Sequence, residues 1–135
     1  MSIAPEAPES GPHELPRLRP CWGLVLVSTP HQSASPPPAH LLAFASEYHI
    51  DASRSKAPAG VLIAQLKNNG QDDHDLAVRN ARGQIIATTG VVRHGALGRL
   101  RVLLKPGRYL LVCTLADHEA RGMRAVLIVR PRKGT

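Results

Sequence analysis

Eleven residues, Cys113-Thr-Leu-Ala-Asp-His118-Glu-Ala-Arg-Gly-Met123, place a thiol, an imidazole and a thioether at equal intervals. Cys113 ends one alternating apolar segment and Met123 opens the next. The loop between them can therefore wrap three donors around one point while its flanking strands stay paired. A second imidazole, His74, follows the turn signal Asn68-Asn69-Gly70 at the start of another segment. Two imidazoles, one thiolate and a distant thioether are the donors of a mononuclear copper site that passes single electrons. Thiolate and thioether favour Cu(I), and imidazole suits both oxidation states. A weak axial Met leaves the geometry between the two preferences, so little has to move as the electron arrives.

The elements that must hold these donors are short. From residue 39 onward, apolar segments alternate with turn residues, the pattern of an all-β domain. The expected strands are Leu41–Ile50, Val61–Lys67, His74–Arg79, Gln84–Thr88, Leu97–Leu104, Arg108–Cys113 and Met123–Val129. Turn chemistry separates them at Ala57-Pro-Ala-Gly60, Asn68-Asn-Gly70, Ala81-Arg-Gly83 and Lys105-Pro-Gly107. Alternation puts Leu100, Val102 and Leu104 on one face, as it does Tyr109, Leu111 and Cys113, and Met123, Ala125, Leu127 and Val129. No segment makes a helix of ordinary length and no repeat is visible, so seven strands in about a hundred residues predict a two-sheet β-sandwich.

With 135 residues, 43% of them hydrophobic but only 3% aromatic, the chain has material for one core built from Val, Leu, Ile and Ala. Nine of the twelve prolines fall at or before Pro38. Residues 1–38 therefore read as a Pro-rich leader, tail or degenerate signal region, and residues 39–135 as the folded domain. The leader holds a short apolar patch, Trp22 to Val27, preceded by Arg17 and Arg19. Leu18 separates the arginines, so a twin-arginine signal is absent, and no apolar run precedes Cys21 to suit a lipoprotein. A disordered tail and a secretory signal both remain open for it. No run of 18 apolar residues occurs to span a membrane as a helix.

The segment Lys105-Pro-Gly-Arg-Tyr109-Leu-Leu-Val-Cys113, the Cys–His–Met loop, and Asn69 with His74-Asp75-Leu76 together resemble the cupredoxins, the type 1 blue-copper family. The resemblance runs from about Leu42 to Val129. Four residues between Cys113 and His118, and four between His118 and Met123, are most similar to a rusticyanin-type loop. The resemblance implies a Greek-key two-sheet β-sandwich holding one copper ion that shuttles between Cu(I) and Cu(II). His74, Cys113 and His118 would form a trigonal plane, with Met123 as the long axial ligand. It further implies that the backbone N–H groups of Asp75 and Leu115 point at the Cys113 sulfur, and that His118 sits at the surface as the electron port. The chain departs from the family at Ala116-Asp117, where many relatives have Pro-Gly, and at Leu111, where many carry an aromatic. The match is therefore to a divergent member.

Other chemistries fit less of the pattern. Cys113 alone would read as a buried inert thiol, but that leaves His74, His118 and Met123 to coincidence. A Cys21–Cys113 disulfide would consume the proposed ligand. Zinc could take Cys and two His but has no use for Met. His13, His31, His40, His49 and His94 have no partners at ligand spacing. The His-x-His pairs of a multicopper oxidase are absent, as is the second loop cysteine of a binuclear copper centre, so the chain reads as an electron carrier and not an enzyme. Copper storage or delivery shares the same ligands, and a cupredoxin-like domain without copper is the structural alternative.

Seventeen Lys and Arg against ten Asp and Glu give a formal charge of +7, which raises nucleic acid or an acidic surface as a partner. The cations are scattered, and Phe44, Tyr48 and Tyr109 form no stacking platform, so nucleic acid is excluded. A redox partner protein such as a cytochrome or oxidase is implied instead, in a periplasmic or extracellular setting. Of the seven carboxylates in residues 39–135, Asp72, Asp73, Asp75, Asp117 and Glu119 lie within two positions of His74 or His118. That predicts an acidic rim around the port.

Overall fold

The computed structural model describes residues 34–133 and, singly, Gly23 and Pro30. The expected leader, its apolar patch and Cys21 therefore lie outside the described residues, except for residues 34–38 and those two positions.

Nine strands form: β1 (Ala39–Ser46), β2 (His49–Ala52), β3 (Lys56–Pro58), β4 (Gly60–Asn68), β5 (Ala77–Arg79), β6 (Ile85–Thr88), β7 (Leu97–Leu104), β8 (Gly107–Val112) and β9 (Arg124–Arg130). They make two mixed sheets, one ordered β2-β1-β4-β7 and the other β3-β9-β8-β5-β6. No helix occurs among the described residues. Within the first sheet only β1 and β4 run parallel, and within the second only β3 and β9; the other pairs are antiparallel.

The scarcity of aromatics dictates how the core is filled. On the inner face of the first sheet, Leu41 pairs with Ala64 and Ala64 with Leu100, while Ala43 pairs with Leu66. Each large side chain thus stands beside a small one, which lets Leu and Ala interdigitate with Leu111, Leu127 and Val129 from the opposite sheet. The alternating faces expected for β7 and β9 are present: Leu100, Leu104 and Leu127 are buried, and their neighbours Arg99, Arg101, Leu103 and Val126 are exposed. In β8, Tyr109 and Leu111 face inward as expected, but Val112 on the other face is buried as well.

Three boundaries differ from expectation. The single strand expected over Leu41–Ile50 is a hairpin, because Tyr48 takes a left-handed φ of 62° and reverses the chain between β1 and β2. Lys56–Pro58 adds an unexpected edge strand, allowed because Pro58 sits at its end. His74 does not begin a full strand. It makes an isolated antiparallel bridge to Val92, and regular pairing of β5 starts only at Ala77.

Candidate metal centre

Two loops at one end of the sandwich carry the donors. Cys113 directly follows β8, and Met123 directly precedes β9, with the backbone of Cys113 donating to the carbonyl of Met123 (3.1 Å). His118 lies on the turn between them, accepting through its carbonyl from the amides of Met123 (3.0 Å) and Arg121 (3.2 Å). Ala116 takes φ 47° and Gly122 φ 117°, so two left-handed residues fold the loop back on itself. His74 arrives from the loop after β4, tied on both sides of its peptide to Val92.

The side chains meet in the interior. His74, Cys113 and Met123 have no exposed surface, and His118 retains 7%. Nδ1 of His74 and Nδ1 of His118 are 3.2 Å apart, and Sγ of Cys113 lies 4.0 Å from the first and 3.5 Å from the second. The point equidistant from these atoms is about 2.1 Å from each, within the ~2.0–2.3 Å range of metal–nitrogen and metal–sulfur bonds. The three donors thus fit one ion without rearrangement. Among the described residues they are the one group of His, Cys, Asp and Glu side chains close enough to share a metal. Met123 is fully buried in the hydrophobic cluster that also contains Cys113.

Electrostatics follow from burial. Loss of water pushes the Cys113 thiol up, while the backbone N–H groups of Asp75 and Leu115 favour its thiolate and work the other way. These are the two amides expected to face the sulfur. Burial, then the nearby His118, holds His74 below the ordinary histidine range, with Glu47 opposing. His74 is therefore disposed to be neutral, as a metal ligand must be. With Nδ1 turned to the other donors, the His74 proton belongs on Nε2, which is buried without a hydrogen-bond partner.

The supporting shell was mostly invisible in the sequence. Fully buried Asn68 donates from Nδ2 to the carbonyls of Asp72 and Val92 (both 2.8 Å), while its Oδ1 accepts from the Gly70 amide (2.8 Å). It shapes the whole loop that carries His74. The signal available for it was an Asn ending an apolar strand before Asn-Gly, a turn whose side chain bonds its own backbone. The Asp75 carboxylate accepts from the Thr114 amide (2.6 Å) and from the Thr114 hydroxyl, so it staples the residue after His74 to the residue after Cys113. Arg79 grips Glu119 with two bonds of 2.5 and 2.8 Å, fastening the ligand loop to β5. Glu47 at the β1–β2 turn accepts from the amides of Gln71 and Asp72.

The outlet of His118 is narrower than expected. Tyr48 stands edge-on to its ring at 5.7 Å, and the Arg121 guanidinium lies 4.6 Å over the Tyr48 ring. The hairpin turn between β1 and β2 puts this aromatic over the imidazole, a contact between residues seventy positions apart.

No protein-family model and no curated sequence matches the chain. Solved structures do. The dithionite-reduced auracyanin of Roseiflexus castenholzii superposes with a TM-score of 0.58 at 18% identity, over 72% of this chain and 99% of that one. Auracyanin B gives a TM-score of 0.61 at 18% identity, over 72% and 91%. Auracyanin A of Chloroflexus aurantiacus, described as a "blue" copper protein, gives 0.58 at 17% identity, over 70% and 100%.

The fold is the cupredoxin fold. Those three chains are covered almost end to end, so the likeness extends over the whole sandwich and not one hairpin. Within this cupredoxin fold the His74–Cys113–His118 cluster lies at the end where the loops after β4 and β8 meet. Cys113 is a free thiol, which leaves its sulfur available to a metal.

Proposed function

We infer that this chain is a mononuclear type 1 copper protein that carries single electrons between redox partners. The observation that carries the reading is the donor cluster itself: two imidazole nitrogens and one thiol sulfur, buried together within 4.8 Å of one another. His74, Cys113, His118 and Met123 would hold the ion. Bound copper would supply the one-electron Cu(I)/Cu(II) couple.

The remaining work falls to the chain. The buried donors exclude water, and the two histidines and the cysteine are fixed by Val92, Asp75 and Met123 before any ion arrives. A site held this firmly changes little between oxidation states, which favours transfer over catalysis. The ring of His118, the one donor side chain with some exposed surface, is the natural exit for the electron, assisted by Tyr48 against it. Complete burial of Cys113 and His74 also favours a carrier over copper delivery, because a delivery site must release its ion to a partner's ligands. The partner would be a cytochrome or an oxidase, met in a periplasmic or extracellular compartment.

The test is optical. Protein loaded with Cu(II) is expected to bind one equivalent and to absorb strongly in the visible through thiolate-to-copper charge transfer. Cys113→Ser abolishes that colour while the β-sheet circular dichroism persists. A colourless wild type with Cys113 reduced and Cu(II) in excess overturns the reading.

A further inference from the structure

The two ends of the sandwich differ in charge. Pairing of Gly60 with Leu104, Pro58 with Arg130, and Gly107 with Val129 brings three turns or strand ends to one pole. The donor cluster and the pairs Lys67–Leu97 and Val112–Arg124 mark the other. All seven carboxylates of residues 34–133 lie in the β1–β2 hairpin, the loop after β4 or the loop after β8, toward the metal end. The opposite pole has none. It carries Lys56, Arg82, Lys105, Arg108, Arg130 and Lys133, all exposed.

This pole is also built. A groove of about 410 Å³ runs between Lys56 and Pro58 on one side and Arg130, Arg132 and Lys133 on the other. Arg132 is held across it by bonds from Nε to the Ala59 carbonyl (2.7 Å) and from Nη2 to the Pro37 carbonyl (2.9 Å). Beside the cations, Leu103 is 71% exposed, the most exposed of the large apolar side chains among the described residues, and its neighbour across the strands is Val61.

We propose that this pole docks the protein on an anionic lipid bilayer, with the metal end turned outward. Charge complementarity selects an anionic surface, because cations without intervening carboxylates sum their attraction to it. The apolar element selects lipid. Leu103 flanked by Lys105, with prolines 58, 106 and 131 at the same tip, suits the boundary between headgroups and acyl chains, while the basic side chains reach the headgroups. A nucleic acid strand would want exposed rings to stack on. At this pole Tyr109 is buried, and its hydroxyl donates to the Lys105 carbonyl (2.8 Å). Docking by this end leaves Tyr48, which stands against His118, facing solution, where a redox partner can reach it.

The experiment is co-sedimentation of the full-length chain with large vesicles of phosphatidylcholine alone, or of phosphatidylcholine with one third phosphatidylglycerol. Copper need not be present, so the result is independent of the electron-carrier reading. Partition onto the anionic vesicles only, weakening as salt rises, is expected. Lys105→Ser with Arg108→Ser should lower it by roughly fivefold per cation removed, with the thermal midpoint unchanged. The matched control, Arg93→Ser with Arg99→Ser, should leave it near the wild-type value. Equal binding to neutral vesicles overturns the proposal, as does an equal loss in both double variants, which would make net charge alone responsible. Binding to duplex DNA without partition onto the anionic vesicles also overturns it and assigns the pole to nucleic acid.

Discussion

Each donor has a neighbour that sets its behaviour, and two side chains make this measurable. Met123 is fully buried where the loop meets β9. If it is the weak fourth donor proposed above, it should tune the site and not create it. Met123→Leu conserves volume, so folding stability should fall by less than about 1.5 kcal/mol. Copper and colour are expected to remain. Cu(II) loses more than Cu(I) when a donor is removed, so the reduction potential measured by redox titration should rise. A variant unable to hold copper would show Met123 to be a principal ligand. Asp75 is the second case. It is 5% exposed, and its carboxylate takes both Thr114 donors beside the Cys113 sulfur. Asp75→Asn keeps an acceptor but removes negative charge near the site, which disfavours Cu(II). The potential should therefore rise with the copper content unchanged. Asp75→Ala removes the acceptor of the part-buried Thr114 amide and hydroxyl and should cost about 0.5–1.5 kcal/mol per lost hydrogen bond in denaturant unfolding.

At the scale of elements, the site depends on one loop being as thin as it is. Gly70 sits where the chain after β4 turns toward His74. A Cβ there would lie 2.7 Å from Glu47 Oε1 and 2.8 Å from His74 Nε2, closer than real carbon contacts come. The carboxylate could swing away, but His74 is enclosed and its ring would have to shift. Gly70→Ala is thus expected to weaken copper binding, read by competition with a chelator, and to alter the visible spectrum. The fold should persist, since Asn68 and its bonds to Asp72 and Val92 do not involve the new methyl group. Unaltered affinity and spectrum would mean that the loop is more yielding than its hydrogen bonds suggest.

For the molecule as a whole, the acidic rim expected around the port is cancelled beside His118, while Asp72 and Asp73 beside His74 have no ion pair among the described residues. Asp117 pairs with Arg121 (2.7 Å) and Glu119 with Arg79, and each arginine holds its partner's carboxyl below the ordinary range. Asp75 is spent inside. The local field at His118 is weakened because both acids beside it in sequence are paired, and screening over about 8 Å at physiological salt limits what the distant basic pole contributes. Electron transfer with small cationic and anionic reagents should accordingly differ little as ionic strength is lowered. Removing the two neutralising cations, in Arg79→Gln with Arg121→Gln, should expose the acids and accelerate the cationic reagent relative to the anionic one. A strong preference for the cationic reagent in the wild type would show that the arginines do not cancel the rim.

The donor set was legible from spacing, because a loop between two adjacent antiparallel strands must bring its ends together. Cys113 and Met123 were bound to be neighbours once both strands were recognised. The sandwich was legible too, since alternation with period two states which side chains face inward. His74 joined the set on donor chemistry and family resemblance, and its contact with His118 across forty-four residues depends on the two sheets closing. The shell around the donors belonged to tertiary structure alone. Tyr48 reaches His118 because one left-handed residue splits an expected strand into a hairpin. Asp75 meets Thr114, and Arg79 meets Glu119, through pairings that no local pattern encodes. Charge behaved the same way. Composition stated how many cations the chain has, but only the register of the strands separated a basic pole from an end where arginines and carboxylates neutralise one another.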